Sequence, residues 1–457
     1  MTTVILAAGQ GTRMRSKLPK VLQPLAGQPL LAHVVATAVD VTGEAPIVVY
    51  GHGGEAVQAA FADAPVEWAE QAEQLGTGHA VAQALPRIAD NDIVVVLYGD
   101  VPLITATTLN ELIAAAGDDR LGVLTAQVDD PTGYGRIVRD AADRVMRIVE
   151  QKDANPAELE VNEINTGFIA CRASLLRGWV NRLSSDNAQG EYYLTDVIEM
   201  AVADGVEVRT AQPYAIEEIL GINDKRQLAA VESALRARRA EALLDAGVTL
   251  ADPNRVDIRG TVVCGSDVFI DVNVVFEGEV KLDDNVRIGP NCVIRQTQIE
   301  QDCEILPNTV IDHAHIGPRC TIGPFARVRP ETFLGSEVRI GNFVEVKKSA
   351  ISKGSKVNHL SYVGDSRIGE NVNVGAGTIT CNYDGANKHR TVIGDGAFIG
   401  SGTQLVAPVR IGEGSTIGAG STISKDTPAN ALTLARARQR SIEGWQRPQK
   451  QPKDGKK

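Results

Sequence analysis

The chain has 457 residues, more than one hydrophobic core of ordinary size accommodates, so two or more domains are expected. Aromatic residues make up only 4% while there are 44 glycines, a bias typical of repetitive β structure. The net charge of -11 argues against a nucleic-acid-binding surface, so an anionic ligand requires locally placed Arg and Lys.

Neither secretion nor membrane insertion is indicated. The six cysteines form no CxxC pair and no cysteine/histidine metal motif, which predicts reduced thiols. The first residues lack a basic leader segment, and nowhere do about 18 apolar residues follow one another. We therefore expect a cytoplasmic protein that binds small molecules, with no nucleic-acid partner and no membrane partner.

Residues 1–225 alternate short apolar runs with helical-period segments, the pattern of an α/β domain. Strands are predicted at Val4–Leu6, Ile47–Val49, Ile93–Leu97 and Val123–Thr125. The run at Ile93–Leu97 is apolar on both faces, which favours a parallel strand covered by helices on each side. The sequence therefore predicts a Rossmann-like domain here.

A single connecting helix is predicted over residues 226–247. Leu228, Val231, Leu235 and Leu243 are spaced for one helical face. Asp224 followed by Gln227 resembles a capping box. Gly247 follows the last turn as a stop signal.

Residues 248–457 carry Ile-Gly or Val-Gly pairs at multiples of six. The pairs begin at Ile316, Ile322, Ile340, Ile368, Val374, Ile393, Ile399, Ile411 and Ile417. A period of six indicates a parallel β-helix, whereas Val-Gly strands scattered through a sandwich would not keep this phase. From about residue 447 the chain becomes a basic tail, which we expect to be disordered.

The six-residue phase breaks twice. Neither the spacing from Ile340 to Ile368 nor that from Val374 to Ile393 is a multiple of six. We expect residues to loop out at both places. These stretches hold His359, Tyr362, Asn382, Tyr383 and Lys388.

A glycine loop follows the first predicted strand directly, from Leu6 to Met14. Gly9 and Gly11 allow backbone amides to approach a phosphate, and Arg13 and Lys20 add positive charge for a transferring phosphoryl group. The loop is neither a Walker A motif nor a complete dinucleotide fingerprint. Its place after a strand is where open α/β sheets bind nucleotides, although a glycine turn with two solvated cations is the simpler alternative.

Further motifs carry a resemblance to known enzymes: residues 71–79 (QAEQLGTGH), 98–100 (YGD), 134–136 (YGR), 163–167 (EINTG) and 189–196 (QGEYYLTD). Together with the glycine loop they resemble sugar nucleotidyltransferases. With the β-helix, nearly the whole chain resembles the bacterial bifunctional N-acetylglucosamine-1-phosphate uridyltransferase and glucosamine-1-phosphate acetyltransferase family. The resemblance implies acetyl transfer from acetyl-CoA to glucosamine-1-phosphate, then uridylyl transfer from UTP with release of pyrophosphate. The product, UDP-N-acetylglucosamine, supplies peptidoglycan and lipopolysaccharide precursors.

For the first domain, the resemblance implies a UTP and UDP-sugar site. Its residues would be Leu6, Ala7, Ala8 and Gly9 at the uracil and ribose, Gln71, Gly76 and Thr77 at the base, Arg13 and Lys20 as catalytic cations at the triphosphate, Tyr98, Gly99 and Asp100 beside them, and Gly135, Glu150 and Asn165 at the sugar. Asp100 and Asn223 would bind Mg²⁺ as hard oxygen ligands. Asp100 taken alone, without these neighbours, is better explained as a helix cap or turn residue.

For the second domain, the resemblance implies a left-handed β-helix, a homotrimer and an acetyl site shared between subunits. Removing a proton from the amine requires a base, and His359 is the candidate; Glu345 is a candidate to orient it. The glucosamine-phosphate residues would be Arg329, Lys347, Tyr362 and Asn373, and the acetyl-CoA residues Ala376, Asn382, Tyr383, Ser401, Ala419 and Arg436. Ala376 would offer a backbone amide to the oxyanion.

Two other interpretations remain open at the level of sequence. In one, the β-helix of a pyrophosphorylase serves only oligomerisation or regulation. In the other, the chain is a non-catalytic interaction protein, as are the exchange-factor subunits that accompany translation initiation. His359 with the Asn382-Tyr383 loop disfavours the first, and the intact set of Gly9, Gly11, Arg13, Lys20 and Asp100 disfavours the second.

Overall fold

The computed structural model describes residues 1–9, 11–51 and 53–450. The chain divides into two compact units, one from Met1 to Glu241 and the other from Ala242 to the carboxyl terminus. Gln10 of the predicted phosphate loop and residues 451–457 of the predicted disordered tail lie outside the described residues.

The first unit contains the predicted alternation of strands and helices. Its strands are β1 (Thr2–Leu6), β2 (Pro24–Leu25), β3 (Gln28–Pro29), β4 (Ile47–Tyr50), β5 (Glu67–Glu70), β6 (Ile93–Tyr98), β7 (Leu121–Gln127), β8 (Arg136–Arg139), β9 (Val145–Val149), β10 (Glu163–Arg172) and β11 (Val208–Ala211). Its helices are α1 (Leu30–Thr42), α2 (Gly54–Ala60), α3 (Thr77–Ala84), α4 (Ala106–Ala116), α5 (Pro156–Leu159), α6 (Ala173–Val180), α7 (Asp196–Ala203) and α8 (Lys225–Asp245), with 3₁₀ turns at Thr12–Met14, Lys20–Leu22, Leu85–Arg87 and Ile216–Ile219.

The main sheet is mixed and has the strand order β11-β7-β10-β6-β1-β4-β5. β1 pairs in parallel with β4 and β6, and β4 pairs in parallel with β5. β10 runs antiparallel to both β6 and β7. The prediction of a parallel strand at Ile93–Leu97 is therefore correct on the β1 side only, because the sequence pattern reports burial and not the direction of the neighbour.

Both faces of this sheet are buried, as its continuous apolar strands require. Val94 and Val96 pack into one core cluster with α3, α6 and α7, whereas Val95 and Leu97 pack into the other with α1 and α4. All four of these side chains have no solvent exposure. This rigid sheet sets the positions of the loops that follow its strands.

Helix α8 begins two residues after Asn223, and capping hydrogen bonds connect Asn223 and Asp224 to its first turn. The Asp224 carboxylate accepts hydrogen bonds from the backbone amides of Arg226 and Gln227, at 2.8 and 2.9 Å. The Gln227 side chain accepts from the amide of Asn223 at 2.7 Å. The capping arrangement is thus reciprocal, shifted by one residue from the predicted box. Gly247 follows the helix with a φ of 88°.

The second unit is a parallel β-helix built from short strands. Its helical turn is Pro253–Arg255 and its strands are Thr249–Leu250, Val256–Cys264, Phe269–Ile270, Val274–Leu282, Arg287–Ile288, Val293–Ile299, Glu304–Ile305, Val310–Asp312, Ala314–Ile316, Thr321–Ile322, Arg327–Val328, Thr332–Leu334, Arg339–Asn342, Glu345–Lys347, Ala350–Ile351, Lys356–His359, Tyr362–Gly364, Ser366–Ile368, Asn373–Val374, Ile379–Cys381, Thr391–Ile393, Phe398–Ile399, Gln404–Val406, Val409–Ile411, Thr416–Ile417, Thr422–Ile423 and Leu432–Thr433.

Aliphatic residues stack inside this β-helix from one coil to the next. One internal column runs through Ile288, Ile305, Ile322, Ile340, Val357, Val374, Ile399 and Ile417. Each of these side chains is at most 4% exposed, and burying each contributes roughly 1.5–3 kcal/mol of hydrophobic stabilisation. The predicted fold class, an α/β domain followed by a left-handed parallel β-helix of hexapeptide repeats, is confirmed.

At the first of the two phase breaks, the prediction that residues loop out is wrong. Ile340 pairs with Val357 and Val357 with Val374, so each of these coils is one residue shorter than three hexapeptides and holds no inserted loop. His359 and Tyr362 accordingly lie in the strands Lys356–His359 and Tyr362–Gly364. The second break is a true insertion, since Val374 pairs with Ile399 and the chain between them is longer than three hexapeptides.

A helix that crosses a bilayer needs about 20 mostly apolar residues. Within residues 1–9, 11–51 and 53–450, no helix is both long enough and apolar enough to do so.

Candidate functional site

A pocket of about 290 Å³ opens in the first unit at the carboxyl ends of β1, β5 and β6. Open α/β sheets bind ligands at this edge. Most of the nucleotide residues predicted from sequence line it: Leu6, Ala7, Ala8, Gly9, Lys20, Gln71, Gly76, Thr77, Tyr98 and Asp100. Gly99 is buried behind this lining, and Arg13 is exposed on the turn Thr12–Met14. The pocket therefore gathers four sequence motifs that lie far apart along the chain, since Glu191 of the motif at 189–196 also lines it.

Close backbone approach explains why the first loop needs glycine. Gly11 has a φ of 62°, and a Cβ atom there would lie 2.7 Å from the Cβ of Lys20. A side chain at this position would displace the lysine from the pocket. The loop geometry and the position of the cation are thus coupled.

The motif at residues 71–79 supplies the opposite wall. Gln71 is 3% exposed and donates to the carbonyl of Gly76 at 3.0 Å. Gly76 has a φ of 112°, and a Cβ there would lie 2.7 Å from the carbonyl oxygen of Tyr192. The segment 189–196 therefore packs directly against the start of α3, which explains why the two motifs occur together.

Sequence reasoning missed four residues of the lining, namely Val21, Gln74, Ala80 and Glu191. Gln74 donates to the carbonyl of Ala8 at 2.6 Å and so joins the 71–79 motif to the glycine loop. Gln74 lies in the motif at 71–79 and Glu191 in the motif at 189–196. Their positions in these motifs could have indicated that they line the site.

The predicted sugar residues Gly135, Glu150 and Asn165 lie outside the lining of this pocket but close to one another. The amide of Asn165 donates to the carbonyl of Gly135 at 2.8 Å. A Cβ on Gly135 would lie 3.5 Å from Oε1 of Glu150, and the same oxygen accepts from the Thr195 hydroxyl at 3.2 Å. These residues form a small polar cluster suited to a ligand with hydroxyl groups.

Burial raises the pKa of Glu150 in this cluster and of Tyr98 in the pocket lining. Desolvation raises the pKa of the Glu150 carboxyl. Desolvation, with smaller contributions from the charges of Asp100 and Glu150, raises the pKa of the Tyr98 phenol. Tyr98 therefore keeps its hydroxyl hydrogen to a higher pH than a free phenol does.

The two predicted metal ligands converge on the ammonium group of Lys20. Nζ of Lys20 forms an ion pair with Asp100 and donates to Oδ1 of Asn223 at 3.3 Å. Both side-chain oxygens therefore point at one cation position. Within the described residues, no group of three or more His, Cys, Asp or Glu is arranged to hold a metal ion. This donor pair fits Mg²⁺, which usually takes one or two protein oxygens and completes its shell with phosphates and waters.

In the second unit, the predicted acetyl-CoA residues Ala376, Ser401 and Ala419 share one edge of the β-helix with His359. The amides that follow Ala376, Ser401 and Ala419 each donate to the corresponding residue of the coil before, so the four residues stack. Bulky Leu360 follows His359, whereas Gly377, Gly402 and Gly420 follow the other three. From Ala376 to Ala419 this edge therefore carries only small side chains, and we call this part of it the strip. Arg436 donates to the carbonyl of Ala419 at 2.7 Å.

Three of the predicted sugar-phosphate residues, Arg329, Lys347 and Tyr362, lie on the face next to this edge. The strands Glu345–Lys347 and Tyr362–Gly364 pair there, and Arg329 follows the strand before them. Asn382 is buried and donates to Asp365 at 2.5 Å and towards the Tyr362 hydroxyl at 3.4 Å. Asn373 lies apart from this face, because its strand Asn373–Val374 pairs with Lys356–His359 in the other sheet. Tyr383 is 60% exposed.

Positive charge concentrates on this face. The ammonium group of Lys347 lies close enough to Lys388 to lower the pKa of Lys388. Glu345 accepts from Arg329 at 2.6 Å, so its carboxylate is engaged with a cation. Nδ1 of His359 contacts Oδ1 of Asn342 at 3.0 Å instead, and sequence reasoning missed this partner.

Separate family models match the first and the second part of the chain. Residues 3–248 match the MobA-like NTP transferase domain, and residues 390–425 match the bacterial transferase hexapeptide of six repeats. Residues 258–341 and 310–403 match the GMPPB C-terminal domain.

Curated proteins that carry the name bifunctional protein GlmU resemble the chain over nearly its whole length. The protein from Azoarcus sp. (strain BH72) is 59% identical over 99% of this chain and 100% of its own length. That from Aromatoleum aromaticum is 59% identical over 98% and 99%. That from Ralstonia nicotianae is 58% identical over 99% and 100%.

Proposed function

Because the chain belongs to the family of bifunctional GlmU proteins, we propose that it makes UDP-N-acetylglucosamine in two steps. The second unit acetylates glucosamine-1-phosphate with acetyl-CoA, and the first unit then transfers the uridylyl group of UTP to the product. The observation that carries the proposal is the presence of both sites in one chain: a pocket at the carboxyl edge of the first sheet and a cationic face beside His359 on the β-helix.

Uridylyl transfer is an in-line displacement at the α-phosphorus of UTP. A phosphate oxygen of the sugar phosphate forms the new P–O bond, and pyrophosphate leaves. The attacking group is already an anion, so no general base is needed, and positioning with charge neutralisation supplies the catalysis. Arg13 and Lys20 neutralise the triphosphate, Gln71 and Thr77 read the base, and Glu150 and Asn165 hold the sugar.

Mg²⁺ is the proposed cofactor of this step. Asp100 and Asn223 would hold it, since their oxygens already converge on one cation position. When bound, the ion would neutralise charge on the phosphates. Lys20 forms an ion pair with the Asp100 carboxylate.

Acetyl transfer requires a free amine. His359 takes a proton from the amine while the amine nitrogen forms a bond to the thioester carbon. The C–S bond then breaks, and the CoA thiolate receives a proton as it leaves. Arg329, Lys347 and Tyr362 bind the sugar phosphate, together with Asn373. The strip at Ala376, Ser401 and Ala419 takes the acetyl-CoA, with Asn382, Tyr383 and Arg436 beside it.

The second unit is also the proposed site of trimer formation, with the acetyl site shared between subunits. Hexapeptide-repeat units offer flat faces to other copies of themselves. Sedimentation equilibrium tests this: a mass three times that of the monomer is expected, and a monomeric mass with full acetyl transfer would contradict the shared site.

A product assay tests the two reactions together. Purified protein is incubated with glucosamine-1-phosphate, acetyl-CoA, UTP and Mg²⁺, and the sugar nucleotides are separated by chromatography. UDP-N-acetylglucosamine is expected only when both donors are present. Formation of this product solely from pre-acetylated sugar phosphate would leave the β-helix as a scaffold.

A further inference from the structure

Asn342 and His359 are neighbours in the β-helix although they belong to successive coils. Each is the last residue of its strand, Arg339–Asn342 or Lys356–His359, and the two residues are paired in the parallel register. Register partners in adjacent strands lie about 4.8 Å apart and project to the same side. The two side chains therefore emerge from the same edge of the β-helix, one above the other.

The contact between them fixes which ring nitrogen carries hydrogen. Oδ1 of Asn342 lies 3.0 Å from Nδ1 of His359. An amide oxygen only accepts hydrogen bonds, so Nδ1 must be the donor. A neutral imidazole has one N–H group, which leaves the lone pair of Nε2 free.

Backbone contacts hold both residues in place. The amide of Leu360 donates to the carbonyl of Asn342 at 3.1 Å. The carbonyl of His359 accepts from the Ser361 hydroxyl at 2.8 Å and from the amide of Gly377 at 3.3 Å. The pair thus sits on strand ends tied to the coils on either side, which is the rigid support that an oriented base requires.

Two carboxylates of the adjoining strands, Glu345 and Asp365, have other partners. Glu345, the sequence candidate for orienting the ring, is paired with Arg329, and Asp365 accepts from Asn382. The partner that the structure gives to Nδ1 is a neutral amide. Such a partner orients the ring without placing a negative charge beside it.

We propose that Asn342 is a positioning residue for acetyl transfer, which keeps His359 in the tautomer whose Nε2 can take the proton of the substrate amine. The proposal rests on the proposed function of the second unit. Asn342 itself touches neither the amine nor the thioester. In the wrong tautomer, Nε2 would carry hydrogen and could not accept the proton, so the loss is expected in kcat and not in substrate binding.

The kinetic test compares Asn342→Leu, which removes the acceptor with little change in size, with Asn342→Asp, which keeps an acceptor oxygen at the same atom. For Asn342→Leu we expect kcat of acetyl transfer to fall about tenfold or more, the scale seen when supporting hydrogen bonds of a site are removed. KM for glucosamine-1-phosphate and for acetyl-CoA should stay within about twofold. Asn342→Asp should recover most of the lost kcat. Uridylyl transfer by the same chain reports the amount of folded enzyme in each sample.

The second readout needs no substrate. In protein labelled with ¹⁵N-histidine, the signal of His359 is identified by its absence in His359→Ala. The wild-type signal should be that of the Nδ1–H tautomer, and Asn342→Leu should shift it towards Nε2–H, the form that free histidine prefers in water.

Three results would overturn the role of Asn342. An unchanged kcat in Asn342→Leu, or an equal loss in the Leu and Asp variants with an unchanged tautomer, overturns the proposal. A loss that appears only in KM overturns it too. If the wild-type protein shows no acetyl transfer, the proposed function of the second unit fails, while the ¹⁵N signal still decides whether Asn342 sets the tautomer.

Discussion

The two units build their sites in opposite ways. In the first unit, the predicted residues line a pocket, and groups such as Gln71 and Lys20 have partners within it. In the second unit, the predicted residues follow an edge and a face of the β-helix, where His359, Ser401 and Tyr383 are exposed. The difference teaches that a sheet edge with loops forms a pocket within one unit, whereas the β-helix presents its predicted residues on an open surface.

The largest expected effect tests whether the two sites are separate. Asp100→Asn removes the charge that pairs with Lys20 and that would hold Mg²⁺. We expect kcat of uridylyl transfer to fall by about 10³ or more, because several kcal/mol of charge stabilisation are lost. Acetyl transfer, assayed by release of CoA, should be unchanged. A matching loss of acetyl transfer in folded protein would contradict separate sites.

The converse substitution is His359→Ala, which removes the base from the β-helix edge. We expect kcat of acetyl transfer to fall by about 10²–10⁴, the usual contribution of a general base. Uridylyl transfer from pre-acetylated sugar phosphate is the control and should keep its wild-type rate. Acetylation that persists at the wild-type rate would remove His359 from the mechanism.

A smaller effect, on KM for acetyl-CoA, is expected at the strip that holds Ala376, Ser401 and Ala419. Ser401→Leu adds a bulky side chain to the exposed strip between Ala376 and Ala419. Steric exclusion of acetyl-CoA should raise its KM about tenfold, which corresponds to about 1.4 kcal/mol of binding free energy. KM for glucosamine-1-phosphate measures the neighbouring face and should not change. An unaltered KM for acetyl-CoA would move the donor site elsewhere.

The smallest expected effect is on the stability of the first unit, where a carboxyl group, that of Asp196, is partly buried. Desolvation raises the pKa of Asp196 to about 6. Because the folded-state pKa lies above the unfolded one, this group favours folding below about pH 4, and that contribution is lost as the pH rises through about 6. Asp196→Asn should therefore stabilise the first unit at pH 8 by about 1 kcal/mol, after allowance for partial exposure.

Denaturant unfolding at pH 8 and at pH 5 measures this gain, which should shrink at the lower pH. A gain of equal size at both values would show that the charge of Asp196 is not its cause.

In the second unit the pKa of the Asp384 carboxyl shifts in the opposite direction. Hydrogen bonds, first from the amide of Asn387 and then from His389, lower it.

Much of this protein follows from sequence alone, because its signals are local or periodic. The six-residue period predicts the β-helix, since each coil must place an aliphatic residue inward at the same step. The glycines and cations of the first loop indicate a phosphate site, because a close backbone approach leaves few residue choices. Motif resemblance then names most of the residues that line the pocket.

Tertiary structure alone decided which side chains meet. The sequence phase placed His359 in a loop, but a coil one residue shorter than three hexapeptides keeps it on a strand end, and only this register brings Asn342 beside it. Likewise, the direction of β10 and the pairing of Glu345 with Arg329 depend on neighbours far along the chain. A periodic pattern records which residues turn inward, while contacts on the outside depend on the length of each turn, which the pattern does not encode.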